Sequence, residues 1–374
     1  MKCSSKRLSF LLVLALAAFS IQFASIVPAD AASNYAVINT NGSGAGSFAQ
    51  AVIDANSSPG LDTISFAIPG AGVHKISSFS SMSITDPVTI DGLTQTGSTC
   101  GSTLNIVFDV SAIWGQSLTF TAGSSGSTLQ GISWQNATMS SSINVFGSNQ
   151  TLKCNYFNLS DDGTSLVGDG YYPGIIFGAT ESTVGGPGIN DGNRFNGVLS
   201  LNTDQQLDDV TFEGNSFGFS ADKSTFLGVV SGIFLGGNSA RISNLTIHNN
   251  LLQTFSGYGA LPYVTDITLT GNKVCVDDDV TTNICSGLYF YQAHIYLWVV
   301  TNFKVGGPNL QDRNYFSGVP DVNIIFAVNL VGNTDIQNNY FNLTQDGSAL
   351  LESGEGDNGI RVSNTSGDVT IDSN

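Results

Sequence analysis

Short apolar runs, most of them two to five residues long and separated by Gly, Asn, Ser, Asp and Pro, fill the chain from Asp62 to its end. Thr63-Ile64-Ser65-Phe66-Ala67-Ile68 alternates in polarity and stops at Pro69-Gly70, and Val88-Thr89-Ile90 stops at Asp91-Gly92. Period-two alternation cut by turn residues predicts half-buried β-strands. Further strands are predicted over 104–108, 118–120, 129–134, 143–146, 175–177, 210–212, 233–235, 245–247, 267–269, 324–326 and 369–371. Only one segment reads as helix. Ser47 opens a capping box with Gln50, Phe48, Ala51, Val52 and Ala55 share one face, and Ser57-Ser58-Pro59-Gly60 stops it.

The strands repeat with their turns. Asn155-Tyr156-Phe157-Asn158-Leu159 recurs as Asn339-Tyr340-Phe341-Asn342-Leu343, with Asp162-Gly163 and Asp346-Gly347 at one offset. A partial copy is Asn215-Ser216-Phe217 with Asp222. Val184-Gly185-Gly186-Pro187, leading to Asn193-Arg194-Phe195-Asn196-Gly197, recurs as Val305-Gly306-Gly307-Pro308, leading to Asn314-Tyr315-Phe316-Ser317-Gly318. Such self-similarity means stacked units. Asn136, Asn215, Asn249, Asn272 and Asn374 each follow a strand closely, where copies can stack into an amide ladder at left-handed turns. Asn250 and Asn272 stand 22 residues apart, about one coil. The fold class expected is all-β, a single right-handed parallel β-helix of on the order of a dozen coils, with a short N-terminal capping helix. The competing all-β arrangement is a pair of antiparallel sandwiches. The cap is placed at 35–60, covering the edge of the first coil. Residues 369–374 stop in mid-repeat, and the expectation is that the β-helix is truncated there.

Residues 1–31 read as a signal peptide. Lys2, Lys6 and Arg7 precede the apolar stretch from Leu8, and an Ala-x-Ala site ends at Ala31. A membrane anchor is the alternative for this stretch. The β-helix domain is then 32–374. Losing Lys2, Lys6, Arg7 and Asp30 leaves 9 basic and 28 acidic residues, a net charge of −19. That balance argues against nucleic acid and against anionic sugar backbones without a bridging cation. After signal removal no membrane span is expected. Four cysteines remain, Cys100, Cys154, Cys275 and Cys285, and an even count in a secreted chain favours disulfides. Cys275 and Cys285 are expected to staple the loop between them, which leaves Cys100 for Cys154.

Residues 35–97 resemble the N-terminal segment of secreted bacterial right-handed parallel β-helix proteins, a CSLREA-like segment of the form Gly-Ser-Leu-Arg-Gln-Ala-Ile followed by Pro-Gly-x-Asp-Thr-Ile-x-Phe-x-Ile-Pro-Gly. Here it stands as Gly46-Ser47-Phe48-Ala49-Gln50-Ala51-Val52 and Pro59-Gly60-Leu61-Asp62-Thr63-Ile64-Ser65-Phe66-Ala67-Ile68-Pro69-Gly70. Ile84-Thr85-Asp86-Pro87-Val88-Thr89-Ile90-Asp91-Gly92 continues the match, and Phe48-Ala49 departs from its Leu-Arg. The resemblance implies a secreted or surface-exposed β-helix and no particular reaction.

Four groups of residues are candidates for chemistry. Asp161-Asp162 and Asp208-Asp209 read as turn and surface acids. Asp277-Asp278-Asp279, inside the stapled loop, is the candidate for Ca²⁺, against a solvated acidic loop. Arg194 and Arg313, near the glycine-rich turns, read as solvent-facing structure; Arg241 and Arg361 are the other arginines available to a lyase. His74, His248 and His294 show no triad or metal spacing. Phe residues after strands suit internal stacks, whereas Tyr171-Tyr172, Tyr258, Tyr263, Tyr289-Phe290-Tyr291, Tyr296 and Trp298 suit sugar faces or loop packing. The function expected is a non-catalytic secreted or cell-surface β-helix that presents loops for adhesion or binds a polysaccharide or surface glycan. The alternative is a polysaccharide lyase or glycoside hydrolase acting in a groove along the coils.

Overall fold

The computed structural model describes residues 32–111, 115–137, 142–168, 175–202, 206–228, 232–236, 241–257, 264–285, 293–318, 323–351 and 358–374. Residues 1–31, expected to be a signal peptide, and Tyr171, Tyr172, Tyr258, Tyr263 and Tyr289–Tyr291 lie outside them. Residues 32–374 form one unit, a parallel β-helix. Every ladder between strands is parallel, and three sheets run along the stack. The first sheet begins with Asn34–Val37, Asp62–Phe66 and Val88–Asp91 and ends with Val369–Asp372, twelve layers in all. The second holds His74–Ile76, Ile106–Asp109, Ile132–Gln135 and the two-residue strands from Tyr156–Phe157 to Tyr340–Phe341. The third runs from Met82–Ile84 to Asn358–Ser363. In later coils the third sheet passes straight into the first within Ala293–Gly306 and Asn323–Gln337.

Alternation decides which side chains enter the coil. In Leu207–Glu213, Leu207, Val210 and Phe212 are buried, and Leu245 and Ile247 then Ile267 and Leu269 stack on Val210 and Phe212. In the second sheet the inward position is aromatic over successive coils. Phe157, Phe195 and Phe217 lie face to face at 4.7 and 4.8 Å, the spacing of strand layers, and Phe316 and Phe341 do so at 5.2 Å. The run predicted over 129–134 is divided at Gly131. Its positive φ of 71° turns the chain a corner, so Thr128–Gln130 joins the first sheet and Ile132–Gln135 the second.

The helix, Phe48–Asn56, covers the first coil as expected. Phe48, Ala51, Val52 and Ala55 are buried, and the Phe48 ring meets Phe66 and Phe108 at 6.1 and 4.7 Å. The capping box forms by half. Ser47 Oγ accepts from the Gln50 amide at 3.2 Å, but the Gln50 side chain donates to Asp54 instead of reaching back. Both expected disulfides are present, Cys100–Cys154 and Cys275–Cys285. Among the described residues, no helix is long and apolar enough to cross a membrane.

The ladder at the corner between the first and second sheets holds eight asparagines: Asn155, Asn193, Asn215, Asn250, Asn272, Asn314, Asn339 and Asn374. Each Nδ2 donates to the next Oδ1 at 2.8–3.2 Å. The backbone amide of each also donates to that same oxygen. The second Nδ2 proton goes to a strand carbonyl, Val184 for Asn215 and Phe212 for Asn250. A rung inside the ladder therefore satisfies all four side-chain positions. Membership differs from expectation at two residues. Asn136 and Asn249 have left-handed backbones, φ 60° and 53°, and stand outside the ladder. Before six of the eight rungs the preceding residue takes the left-handed turn, Cys154, Gly214, Asn249, Gly271, Asn338 and Ser373, which frees the Asn itself to aim inward.

Neighbouring asparagines should therefore respond oppositely. Asn250→Ala strands donors of Asn215 together with the Phe212 carbonyl and should destabilise by roughly 2–4 kcal/mol. Asn249→Gly keeps the turn and should change stability by less than about 1 kcal/mol. Urea unfolding of the two variants compares them directly, and equal midpoints would refute the ladder's structural weight.

Candidate functional site: a polar cavity between two hairpins

Beyond the second sheet the coils alternate. Every second coil leaves through a small hairpin, at residues 158–168, 218–228, 275–285 and 342–351. Each is closed by one antiparallel bridge, Leu159 with Leu166, Phe219 with Phe226, Val276 with Asn283, and Leu343 with Leu350. Two intervening coils pass directly into the third sheet, from Arg194–Phe195 to Val198–Asn202 and from Leu251–Leu252 to Thr254–Gly257. All four hairpins place left-handed residues at the same two positions: Asn158, Gly218, Cys275 and Asn342, then Gly163, Lys223, Val280 and Gly347. Their acids hold the turn. Asp162 Oδ1 accepts from Ser160 and Thr164, Asp222 from Ser220 and Ser224, and Asp346 from Thr344 and Ser348. Those bonds hold all three carboxyls below the usual range, Asp346 at about 2.

The acidic triplet is the fourth copy of this turn. Asp277 stands where Ser160 and Ser220 stand, and accepts from the amides of Thr281 and Thr282. Asp278 pairs with Lys273 Nζ at 2.7 Å, and Lys273 also donates to the Asp278 carbonyl. Asp279 takes the place of Asp162. Each member therefore has a different setting within one hairpin. The sequence already carries this reading, since Asn272 precedes Asp279 by the seven residues that separate Asn155 from Asp162. The other pair behaves as a turn feature too: Asp208 accepts from Ser243 Oγ at 2.6 Å and Asn244 Nδ2 at 3.1 Å, and Asp209 is left-handed.

The hairpins fold over the outward row of the second sheet, Tyr156, Arg194, Ser216, Leu251, Lys273, Tyr315 and Tyr340. The first two hairpins touch. The Ala221 amide donates to the Gly163 carbonyl at 2.8 Å, and a Cβ on Gly163 would stand 2.2 Å from that of Ala221, so this position admits only glycine. Leu159, Ala221 and Tyr156 make one apolar cluster there. The last two hairpins share another, of Val276, Val280 and Leu351. Between the second and third hairpins a cavity of about 300 Å³ opens. It is lined by Arg194, Glu213, Asp222, Lys223, Asn249 and Asp278, with the turn 186–190 at its rim. The coil bearing Asn249 lacks the glycine-rich loop that the coils two layers away on either side carry at 186–190 and 307–311, which leaves that side open.

Arg194 corrects the expectation of a solvent-facing arginine. It is 1% exposed because the second hairpin lies over it. Nε donates to the Ala221 carbonyl and Nη1 to the Gly192 carbonyl, both at 2.8 Å. Arg313, in the later copy, is half-buried instead, donates to Asn338 and lies 3.8 Å over the Tyr340 ring. His248 sits at the turn as expected, 4.0 Å from Glu213, with Nδ1 2.9 Å from Thr270 Oγ1.

The structure also gathers residues far apart in sequence. His294 Nδ1 lies 3.1 Å from Cys275 Sγ and 3.1 Å from the Gln253 carbonyl. Donor atoms of Cys275, Cys285 and His294 fall within 4.8 Å of one another, but the sulfurs are joined and leave no thiolate to ligate. Of the aromatics considered for sugar contact, Tyr296 is buried and Trp298 is 42% exposed. No family model, curated protein or solved structure matches this chain.

Burial lowers the His294 pKa from 6.5 to about 4, with the Gln253 carbonyl opposing. As pH falls below 6.5 the unfolded chain binds the proton first. Stability is therefore complete above pH 6.5 and drains away toward pH 4, by on the order of 3 kcal/mol. His294→Gln should flatten that part of a urea-midpoint profile against pH; an unaltered slope would assign the acid sensitivity elsewhere.

Proposed function

We propose that this chain is a secreted or cell-surface β-helix that binds glycan along its hairpin-bearing face without cleaving it. The observation that carries the reading is the polar cavity between the second and third hairpins, walled by hydrogen-bonding side chains and open on one side. Sugar hydroxyls need such convergent donors and acceptors, and a shallow site admits one stretch of a chain rather than a buried small molecule. The acids nearby hold turns or ion pairs, as Asp222 and Asp278 do, and so are tied up in supporting the loops. Two disulfides fit an oxidising compartment, in line with the signal-like residues 1–31. The rigid stack fixes the spacing of the hairpins, so a ligand meets a pre-formed surface.

One observation favours the enzymatic alternative. Burial, then the Arg194 charge, lowers the Lys223 pKa, and a less basic amine beside Asp222 is what proton abstraction from a uronide would use. The two readings separate in one experiment. Incubated with acidic and neutral polysaccharides, with and without Ca²⁺, the chain should be retained on at least one of them and release neither unsaturated nor reducing ends. Turnover that disappears in Asp222→Asn or Lys223→Gly would establish the lyase or hydrolase instead.

A further inference from the structure

Arg194 and Lys223 meet at one cavity in a chain with 12 basic and 29 acidic residues. Acids outnumber bases more than twofold, so each cation has carboxylates to choose from. Lys75, Lys153 and Lys273 do pair with Asp109, Asp191 and Asp278. Neither Arg194 nor Lys223 has a carboxylate within 4.0 Å among the described residues, and both line the same cavity. Arg194 is 99% removed from solvent, with three carbonyls on Nε and Nη1 and no bond on Nη2. That nitrogen keeps contact with the cavity, since it is not among the sealed polar atoms lacking a partner. A guanidinium desolvated to this degree, with one edge unmet, is costly unless something outside the chain meets it.

Lys223 arrives at the cavity by an unfavourable backbone. Its φ of 64° is left-handed, and the first and fourth hairpins use Gly163 and Gly347 there. A residue with a Cβ is strained in that conformation. The side chain makes no hydrogen bond or ion pair within the described residues. The acids around it are otherwise engaged: Asp222 with Ser220 and Ser224, Asp278 with Lys273, and Glu213 4.0 Å from His248.

We propose that this cavity is a carboxylate-binding site, in which Arg194 Nη2 and Lys223 hold a singly charged oxyanion borne by a small molecule or by a sugar acid of a glycan. Two cations facing inward call for an anion. Glu213, Asp222 and Asp278 on the same walls limit the charge the site tolerates, which favours a monoanionic carboxylate over a doubly charged phosphate. Asn249 and the backbone at Gly186–Gly188 supply hydrogen-bonding groups for hydroxyls beside it. The sugar-acid source rests on the glycan reading above; the small-molecule source does not.

The test is titration of the purified full chain with glucuronate, glucose and inorganic phosphate, followed by ligand-observed NMR, together with retention on carboxylated and neutral polysaccharides. Glucuronate should bind at least about tenfold more tightly than glucose or phosphate. Lys223→Gly should weaken it about tenfold while keeping the fold, because glycine occupies that place in two sister hairpins. Arg194→Gln should abolish binding, with Lys223→Gly serving as the decisive variant if Arg194→Gln fails to fold. Equal affinity for glucuronate and glucose, preference for phosphate, or an unaffected Lys223→Gly would overturn the site. Retention on neutral and carboxylated polysaccharides alike would overturn it while leaving the glycan reading standing. Glucuronate binding without retention on any polysaccharide would keep the site, assign it to a small molecule, and remove the glycan reading.

Discussion

The asparagine ladder is the constraint on which the rest of the structure depends. A corner between two sheets must bury backbone amides and carbonyls that no strand pairing reaches, and each such group left unmet is costly. Each Asn closes the gap in both directions along the stack. Its oxygen takes two protons from the coil on one side, and its amide gives one proton to each neighbouring coil. Because the bonds run between coils, the ladder fixes the layer spacing and the register of the flanking strands together. The phenylalanine stacks beside it inherit that spacing, which puts successive rings at 4.7 and 4.8 Å.

With the corner fixed, variation is displaced to the loops. The second sheet is only two residues wide in the later coils, so its outer face is narrow and one hairpin can cover it. Hairpins on every second coil leave room for each to lie down. Where hairpins meet through Leu159 and Ala221, or through Val276 and Leu351, the face is closed by apolar contact. Where Lys223 and Asp278 replace such contacts the face stays open and polar, and the only fully buried arginine in the described core lies beneath it. The cavity is thus a consequence of which side chains stand at equivalent places in copies of one turn.

The acids illustrate why composition misleads about chemistry in such a fold. A chain with 29 acidic residues offers many pairs, yet the hairpin acids are consumed as turn acceptors. Sequence adjacency made Asp277, Asp278 and Asp279 look like one cluster. The turn gives them separate tasks: Asp277 caps two amides and Asp278 holds Lys273. Arginine misleads in the opposite sense. Near a glycine-rich turn Arg194 reads as surface, but it occupies the outward place of an Asn-x-Phe rung, the place of Tyr156 and Ser216, and that row is roofed.

Much of the architecture was legible in the chain because its physics is local and repeated. Period-two alternation and recurring Asn-aromatic rungs determined parallel stacking, the aromatic interior and the existence of a ladder. The capping residue and apolar face of 48–56 determined the helix over the first coil, and an even cysteine count inside a tight 275–285 loop pointed to both disulfides. Ladder membership was only partly legible, since one residue's shift separates the left-handed Asn249 from the inward Asn250, and only backbone geometry tells them apart. The site itself belongs to the tertiary structure. Arg194, Lys223 and Asp278 come from three coils, and His294 reaches Cys275 across 19 residues, so no spacing in the chain announces either meeting. Stacking brings together residues about a coil or two apart, and which of them find partners there is settled by packing, not by order along the chain.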